Sequence, residues 1–174
     1  LSGIPFDPPG LRIERMTEAV RLIKRLLSEE RISHAGDFYA VTELTLPPRP
    51  VQQPYPPIII GGGSKRILSV AAREANIVGI TTRALADGTK DTTDMTAAAT
   101  ARKIDWVREA AADRFPDLEL NIICPTVVVT DDRRGTAERL AGDLRVSPEE
   151  LFDSPPALIG TVDEIVETLE ERRE

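Results

Sequence analysis

The chain has 174 residues, which suits one domain or part of a larger one. Hydrophobic residues make up 41% of the sequence and permit a sizeable core, whereas aromatic residues make up only 4%. The net charge is −7, and residues 147–174 account for it with nine acidic and two basic side chains. Without a basic surface or aromatic stacking platforms, the sequence argues against nucleic acid or an anionic membrane as the main partner.

The only cysteine, Cys124, lies in an apolar run, where a free thiol usually packs as a small hydrophobic group. It cannot form a disulfide within the chain, so a reducing, cytoplasmic location is expected. No run of 18 apolar residues occurs, and no membrane span is predicted. The chain begins at Leu1 rather than Met and ends inside a helical pattern, so we interpret both ends as cuts through a longer protein.

The first predicted element is a helix over 7–30, where apolar residues recur at spacings of three and four. Its predicted inward face consists of Ile13, Met16, Val20, Ile23 and Leu27. Residues 31–57 then combine short β-type segments with six prolines between positions 47 and 57. Because proline cannot donate to a strand ladder, this segment is expected to be a hairpin followed by an extended, proline-rich insertion.

Residues 58–80 predict a compact βαβ unit. The isoleucines at 58–60 form an apolar run without alternation, which is typical of a parallel strand covered on both faces. A helix is expected over 64–75, and a second buried strand over 76–80. Residues 81–96 are polar and weakly patterned, which predicts a mobile surface loop.

The C-terminal half predicts one more helix from Thr96 to about Pro116, and then the longest strand signal, over 118–130. Pro125 inside that signal indicates a bulge or an edge position. Two or three helices are expected to close the chain, and the acidic 147–174 segment holds capping boxes that begin at Ser147 and Thr161. The order of elements predicts a single α/β domain over 1–174 with about three parallel strands and flanking helices.

Three glycines lie between the first parallel strand and the helix that follows it. Glycine tolerates positive φ and lets a ligand touch the backbone, while the start of a helix presents unpaired N–H groups. These features favour an anion site at the carboxyl end of the strand. The residues of this candidate site are Gly61, Gly62, Gly63, Ser64, Lys65 and Arg66.

The spacing matches neither a Walker loop nor a Rossmann fingerprint, so a plain tight turn between strand and helix is the alternative. If the turn does bind a ligand, Gly62→Val is expected to obstruct it while leaving secondary structure largely intact. His34 has no patterned partners, so a structural role is favoured over a metal or catalytic site. Asp131 and Asp132 are interpreted as a helix start with surface charges. The sequence identifies no general acid or base.

The stretch "RPVQQPYPPIIIGGGSKRILSVAAREANIVGI" at 49–80 resembles the luciferase-like monooxygenase superfamily, in particular its deazaflavin-dependent branch. Later stretches look like further landmarks of that group, and the resemblance covers nearly the whole chain: "GDFYAV", "DLELNIICPTVVV" and "ALIGTVDEIVETLEERRE". One departure is Asn76, where an Asp is usual in the family, and it is expected to affect local hydrogen bonding.

The resemblance implies a (β/α)8 TIM barrel that binds coenzyme F420 or FMN at the carboxyl ends of its strands. It implies that Gly61, Gly62, Gly63 and Ser64 hold the cofactor's phosphate, with charge added by Lys65 and Arg66. This chain would be a partial barrel that begins after the fourth strand and stops before the eighth. Its three predicted strands would then be the fifth, sixth and seventh, and catalytic side chains would lie on the absent strands.

The leading functional hypothesis is therefore a segment of an F420-dependent oxidoreductase that transfers hydride to or from a small organic substrate. One alternative is an FMN-dependent monooxygenase, for which a flavin reductase would be the partner that supplies reduced flavin. Another alternative is a non-catalytic phosphate- or nucleotide-binding module, or an inactive truncated fragment. If the protein forms an assembly, a homodimer is the one expected.

Overall fold

A computed structural model describes residues 7–85, 87–144 and 146–173. Its helices are α1 (Pro9–Ser28), α2 (Lys65–Glu74), α3 (Ala97–Ala111), α4 (Arg133–Leu144), α5 (Pro148–Phe152) and α6 (Val162–Glu171). Its strands are β1 (Ile32–Ala35), β2 (Ala40–Leu44), β3 (Ile59–Gly62), β4 (Ile77–Ile80), β5 (Glu119–Ile122), β6 (Thr126–Val129) and β7 (Ala157–Gly160). Short 3-10 helices occupy Thr92–Met95 and Ala112–Asp117.

The described strands form three small sheets. The pairs β3–β4 and β4–β5 are parallel and make a three-stranded sheet with β4 in the centre. A second parallel sheet contains β6 and β7, and β1 pairs with β2 as an antiparallel hairpin. The α/β class with parallel strands and flanking helices is thereby confirmed.

The long strand signal over 118–130 is divided into two strands. Residues 123–125 interrupt it, so that β5 pairs with β4 whereas β6 pairs with β7. Pro125 has no N–H group to donate, which explains why the ladder stops at this point. The partner strand β7 was not predicted, because its short apolar run lies between predicted helices and cannot be distinguished by periodicity from a buried helix segment. The described residues thus contain two more parallel strands than the sequence predicted.

The main core lies between β3, β4 and the helices α2 and α3. Its fully buried residues include Leu68, Ala71, Ala72, Ala75, Val78 and Val107. A smaller core joins α4, α5 and β7. On α1 the predicted face is only partly right: Val20 is buried, but Ile23 is 46% exposed and Leu22 is buried instead. The reason is that α1 packs on α2 and β1 rather than flat on a parallel sheet.

The turn of the hairpin is held by one carboxylate from α1. Glu18 accepts backbone N–H bonds from Asp37 at 3.1 Å, Phe38 at 3.1 Å and Tyr39 at 2.9 Å. Its Oε1 also lies 3.1 Å from Nε2 of His34. Burial raises the pKa of Glu18, but the hydrogen bonds from His34 and the backbone outweigh burial and hold the pKa below its usual value. The sole histidine therefore has a structural contact.

Because the folded-state pKa of Glu18 is lowered, its stabilising effect is complete above the pKa of the unfolded chain and is lost as the pH falls through the lower folded value. We therefore expect Glu18→Gln to speed amide hydrogen exchange at Phe38 and Tyr39 at pH 7, and to have a smaller effect in acid, where the Glu18 carboxyl of the folded protein is protonated. Glu14→Gln on the same helix is the control, since Glu14 forms a solvent-exposed pair with Arg66. Equal exchange in both variants would contradict this role.

The segment 81–96 is not entirely a surface loop. It contains a 3-10 helix in which Asp94 and Met95 are buried, and an isolated bridge joins Ala84 to Lys90. Position 86 lies outside the described residues, and mobility stays a prediction. The helix starts are as predicted: Thr96, Ser147 and Thr161 all cap with their side chains, and the last two form capping boxes.

Candidate functional site

The candidate site lies where β3 ends and α2 begins. We call Gly61–Ser64 the glycine corner. Gly61 and Gly62 are the last residues of β3, opposite Gly79 and Ile80 of β4, and α2 begins at Lys65. The corner thus lies at the carboxyl end of a parallel strand, as the sequence predicted, where ligands of α/β proteins usually bind. Its residues are partly or fully exposed, so the corner is open to solvent.

The structural reason for the glycines differs from the expected one. Among the described glycines only Gly88 and Gly160 have positive φ, so the corner does not need left-handed backbone. It needs space instead. A Cβ on Gly63 would lie 2.6 Å from the backbone of Thr82 and Arg83, and a Cβ on Gly62 would clash with the side chain of Ile67.

The start of α2 has no side-chain cap. The Ser64 side chain accepts no hydrogen bond from the helix, and the first turn contains no acidic residue. By contrast, α3, α5 and α6 are all capped by a hydroxyl. The first N–H groups of α2 and the positive end of its dipole therefore face the corner without a protein acceptor among the described residues, which is the arrangement that binds anions.

Both cations of the predicted site have carboxylate partners on other helices. Lys65 Nζ lies 2.9 Å from Glu109 of α3, and an Arg66 guanidinium nitrogen lies 2.6 Å from Glu14 of α1. All four side chains are more than half exposed. Such solvent-exposed pairs contribute little and exchange partners easily, so the two cations border the corner without pointing into it.

A buried ion pair fixes the wall next to the corner. Lys103 of α3 is 1% exposed, and its ammonium lies 2.5 Å from Asp94 Oδ2. It also donates to the carbonyl of Thr81 at 2.9 Å and to that of Asp94 at 3.2 Å. Asp94 Oδ2 in turn accepts the N–H of Arg83 at 2.7 Å. The network ties the end of β4, which contacts the glycine corner, to α3.

Sequence analysis missed this pair, although a signal for it exists. Every fourth position of α3 faces the core: Ala99, Lys103, Val107 and Ala111. A lysine on an otherwise apolar face implies a buried charge that needs a partner. Asp94 precedes the helix cap by two residues and is close enough in sequence to supply it.

The departure from the family pattern at Asn76 has a local role. Its Oδ1 accepts the backbone N–H of Ile58 at 3.0 Å, immediately before β3 begins. Beyond this, the described residues contain no group of three or more side chains that could hold a metal ion. None of the described helices has the length and apolar character that crossing a bilayer requires.

Two solved structures with the same fold are about twice as long as this chain. One is an F420-dependent secondary alcohol dehydrogenase in complex with an F420–acetone adduct, with a TM-score of 0.65 at 16% identity. The match covers 99% of this chain and 56% of that one. Another is a long-chain alkane monooxygenase, with a TM-score of 0.62, 12% identity and coverage of 97% and 50%. At these identities the likeness establishes the fold alone.

Two curated relatives match shorter segments. An FMNH(2)-dependent dimethylsulfone monooxygenase of Pseudomonas putida is 37% identical over 71 residues, which are 41% of this chain and 20% of the relative. An F420-dependent glucose-6-phosphate dehydrogenase of Kineococcus radiotolerans is 43% identical over 61 residues, 35% of this chain and 18% of that enzyme. The matched segments thus span about a fifth of these relatives. The family model for luciferase-like monooxygenase matches residues 3–173, and the chain belongs to that family.

Proposed function

We propose that this chain is the cofactor-binding part of an oxidoreductase, and that the glycine corner holds the phosphate of coenzyme F420. The observation that carries the proposal is the uncapped start of α2 at the carboxyl end of a parallel strand. The F420-dependent relative, 43% identical over its matched segment, supports this choice of cofactor. We further propose that the parallel strands are an arc of a (β/α)8 barrel and that the protein is cytoplasmic.

The residues present fit a phosphate group. The N–H groups of Ser64 and of the first turn of α2 would donate to its oxygens, and Gly61 leaves the approach open because it has no side chain. Lys65 and Arg66 would add positive charge by giving up their exposed carboxylate partners. When bound, F420 supplies the hydride chemistry, while the protein binds and orients it. The whole protein would transfer hydride between F420 and a small organic substrate.

FMN is the second candidate cofactor. The specific observation in its favour is the similarity to the FMNH(2)-dependent monooxygenase. A phosphate on a ribityl chain would make the same demands on the corner as that of F420, so the geometry does not favour either one. In this case a flavin reductase would supply the reduced cofactor. Equilibrium titrations with F420 and with FMN, followed by fluorescence, separate the two: tighter binding of FMN would reject the first choice.

The experiment that tests the corner is Lys65→Pro, with Lys65→Ala as its matched control. Both changes remove the ammonium, but only proline also removes the N–H of the first helical residue. Proline is well tolerated at that position, and the extended backbone of Ser64 (φ −104°, ψ 154°) suits the residue before a proline. We expect the proline variant to bind F420 about tenfold more weakly than the alanine variant.

Thermal unfolding should be alike for the two variants, because no helical hydrogen bond is removed. Equal affinity in both would remove the amides of the corner from the binding site. Turnover with reduced F420 and an electron acceptor then distinguishes an enzyme from a binding module: a chain that binds F420 through the corner without turnover would support the non-catalytic alternative.

A further inference from the structure

A cavity opens where the two parallel sheets separate. Residues 119–122 pair with β4, whereas residues 126–129 pair with β7, and the gap between the two pairings is left open. The cavity in this gap has a volume of about 370 Å³. That volume lies within the range of roughly 300–1,000 Å³ that is usual for small-molecule sites.

The walls of this cavity are mainly apolar. They are formed by the end of β4, the 3-10 helix, the break between β5 and β6, and the end of α4. Apolar lining residues include Ile80, Met95, Ile122, Ile123, Leu144 and Pro156. Burial of apolar ligand surface against such walls is favourable in proportion to the area removed from water.

The buried charges at the cavity are already compensated. The three N–H groups of Lys103 have three acceptors: the carboxylate of Asp94 and the carbonyls of Thr81 and Asp94. Among the described lining residues, a charged ligand would thus meet no unpaired buried counterion, and the remaining charged side chain, Lys90, is exposed. An uncharged ligand has no such desolvation cost.

Hydroxyl groups of the lining supply hydrogen bonds. The side chains of Thr81, Thr100 and Thr126 line the cavity and make no hydrogen bond to other described residues. Each can donate to a ligand carbonyl or accept from a ligand hydroxyl. The lining therefore combines a large apolar surface with a few polar groups that fix orientation, which is the usual composition of small-molecule sites.

We propose that this cavity binds an uncharged, mainly apolar organic molecule with a hydroxyl or carbonyl group. The cavity adjoins the glycine corner, because Thr82 lines it and the Thr82 backbone also lies against Gly63. The two sites differ in chemistry: the corner offers unpaired N–H groups to an anion, and the cavity offers apolar walls and hydroxyls to a neutral molecule. The proposal does not depend on the function of the corner.

The two methionines of the chain allow a direct test. Met95 lines the cavity, whereas Met16 lies on α1 against the main core. The methyl groups of both are labelled with ¹³C, and the protein is titrated with benzyl alcohol and, separately, with benzoate, which has the same ring but a negative charge. We expect benzyl alcohol to shift the Met95 methyl signal saturably and to leave the Met16 methyl signal unchanged. Benzoate is expected to bind with an affinity at least about tenfold lower than that of benzyl alcohol.

Thr100→Leu fills the cavity from α3 and is expected to weaken benzyl alcohol binding by about tenfold. Thr168→Leu on α6, outside the cavity, is the matched control and should bind as the unchanged protein does. Loss of the native Met16 signal in Thr100→Leu would mean that the main core is disturbed. In that case Thr126→Leu, which fills the cavity from the opposite wall, replaces it in the test. The proposal would be overturned if benzyl alcohol caused no saturable shift of the Met95 signal, or if benzoate bound as tightly as benzyl alcohol. It would also be overturned if a cavity-filling variant with a native Met16 signal bound benzyl alcohol as tightly as the unchanged protein.

Discussion

Gly63→Ala is expected to lower the free energy of unfolding by about 2–3 kcal/mol. The added Cβ would lie 2.6 Å from the carbonyl of Thr82 and from the N–H nitrogen of Arg83. These are backbone atoms, and Arg83 is held further by its bond to Asp94, so the clash cannot be relieved by rotating a side chain. Urea unfolding followed by circular dichroism measures the effect.

Gly61→Ala is the control for this prediction. Its Cβ would be 3.5 Å from the carbonyl oxygen of Gly79, which is an ordinary contact, and its φ is not positive. We expect stability within about 1 kcal/mol of the unchanged protein, since alanine restricts the unfolded chain more than glycine does. Gly62→Val is a poorer probe than the sequence suggested, because its Cβ would strike Ile67 and disturb packing as well as access. Equal stability of the Gly61 and Gly63 variants would disprove the close approach.

The second large effect is expected for Lys103→Met, with a loss of about 3–5 kcal/mol. The change leaves the carboxylate of Asp94, which is 10% exposed, with only the more distant guanidinium of Arg102 at 3.6 Å, and leaves two carbonyls without the ammonium donor. Removing one partner of a buried ion pair costs more than the pair itself contributes. Chemical unfolding at pH 7 provides the measurement.

The double variant Lys103→Met, Asp94→Asn separates loss of the pair from loss of packing. Asparagine keeps an oxygen that can accept the N–H of Arg83 but carries no charge, so we expect it to recover about half of the lost stability. A double variant that is less stable than Lys103→Met alone would show that the remaining carboxylate is not the source of the cost.

The elements that sequence reasoning located best are the ones with long or unambiguous patterns. The βαβ unit at 58–80 has its strands and helix within one or two residues of the expected positions, because an apolar run, a glycine turn and a helical period follow one another there. By contrast, β7 is a short apolar run between two helices with no glycine-rich turn beside it to mark it as a strand, and the division at Pro125 depends on which neighbour each half meets. Such pairing is set by tertiary contacts that no local pattern contains.

Sequence reasoning about the candidate site was limited in the same way, because local patterns do not contain tertiary contacts. The position of the glycine corner and the openness of its helix start follow from local sequence. The reason for Gly63 does not, since it depends on a backbone segment about twenty residues later. The pairing of Lys103 with Asp94 is intermediate: the interruption of an apolar face predicts that some partner exists, but the structure is needed to identify it.

The backbone at Thr82 and Arg83 has one surface toward the glycine corner and another held by the ion pair of α3. Substitutions at the ion pair of Lys103 and Asp94 would therefore shift this backbone segment without changing any residue of the glycine corner. Affinity at the corner could be tuned from inside the protein, which gives both natural variation and protein engineering a route that leaves the binding residues themselves unchanged.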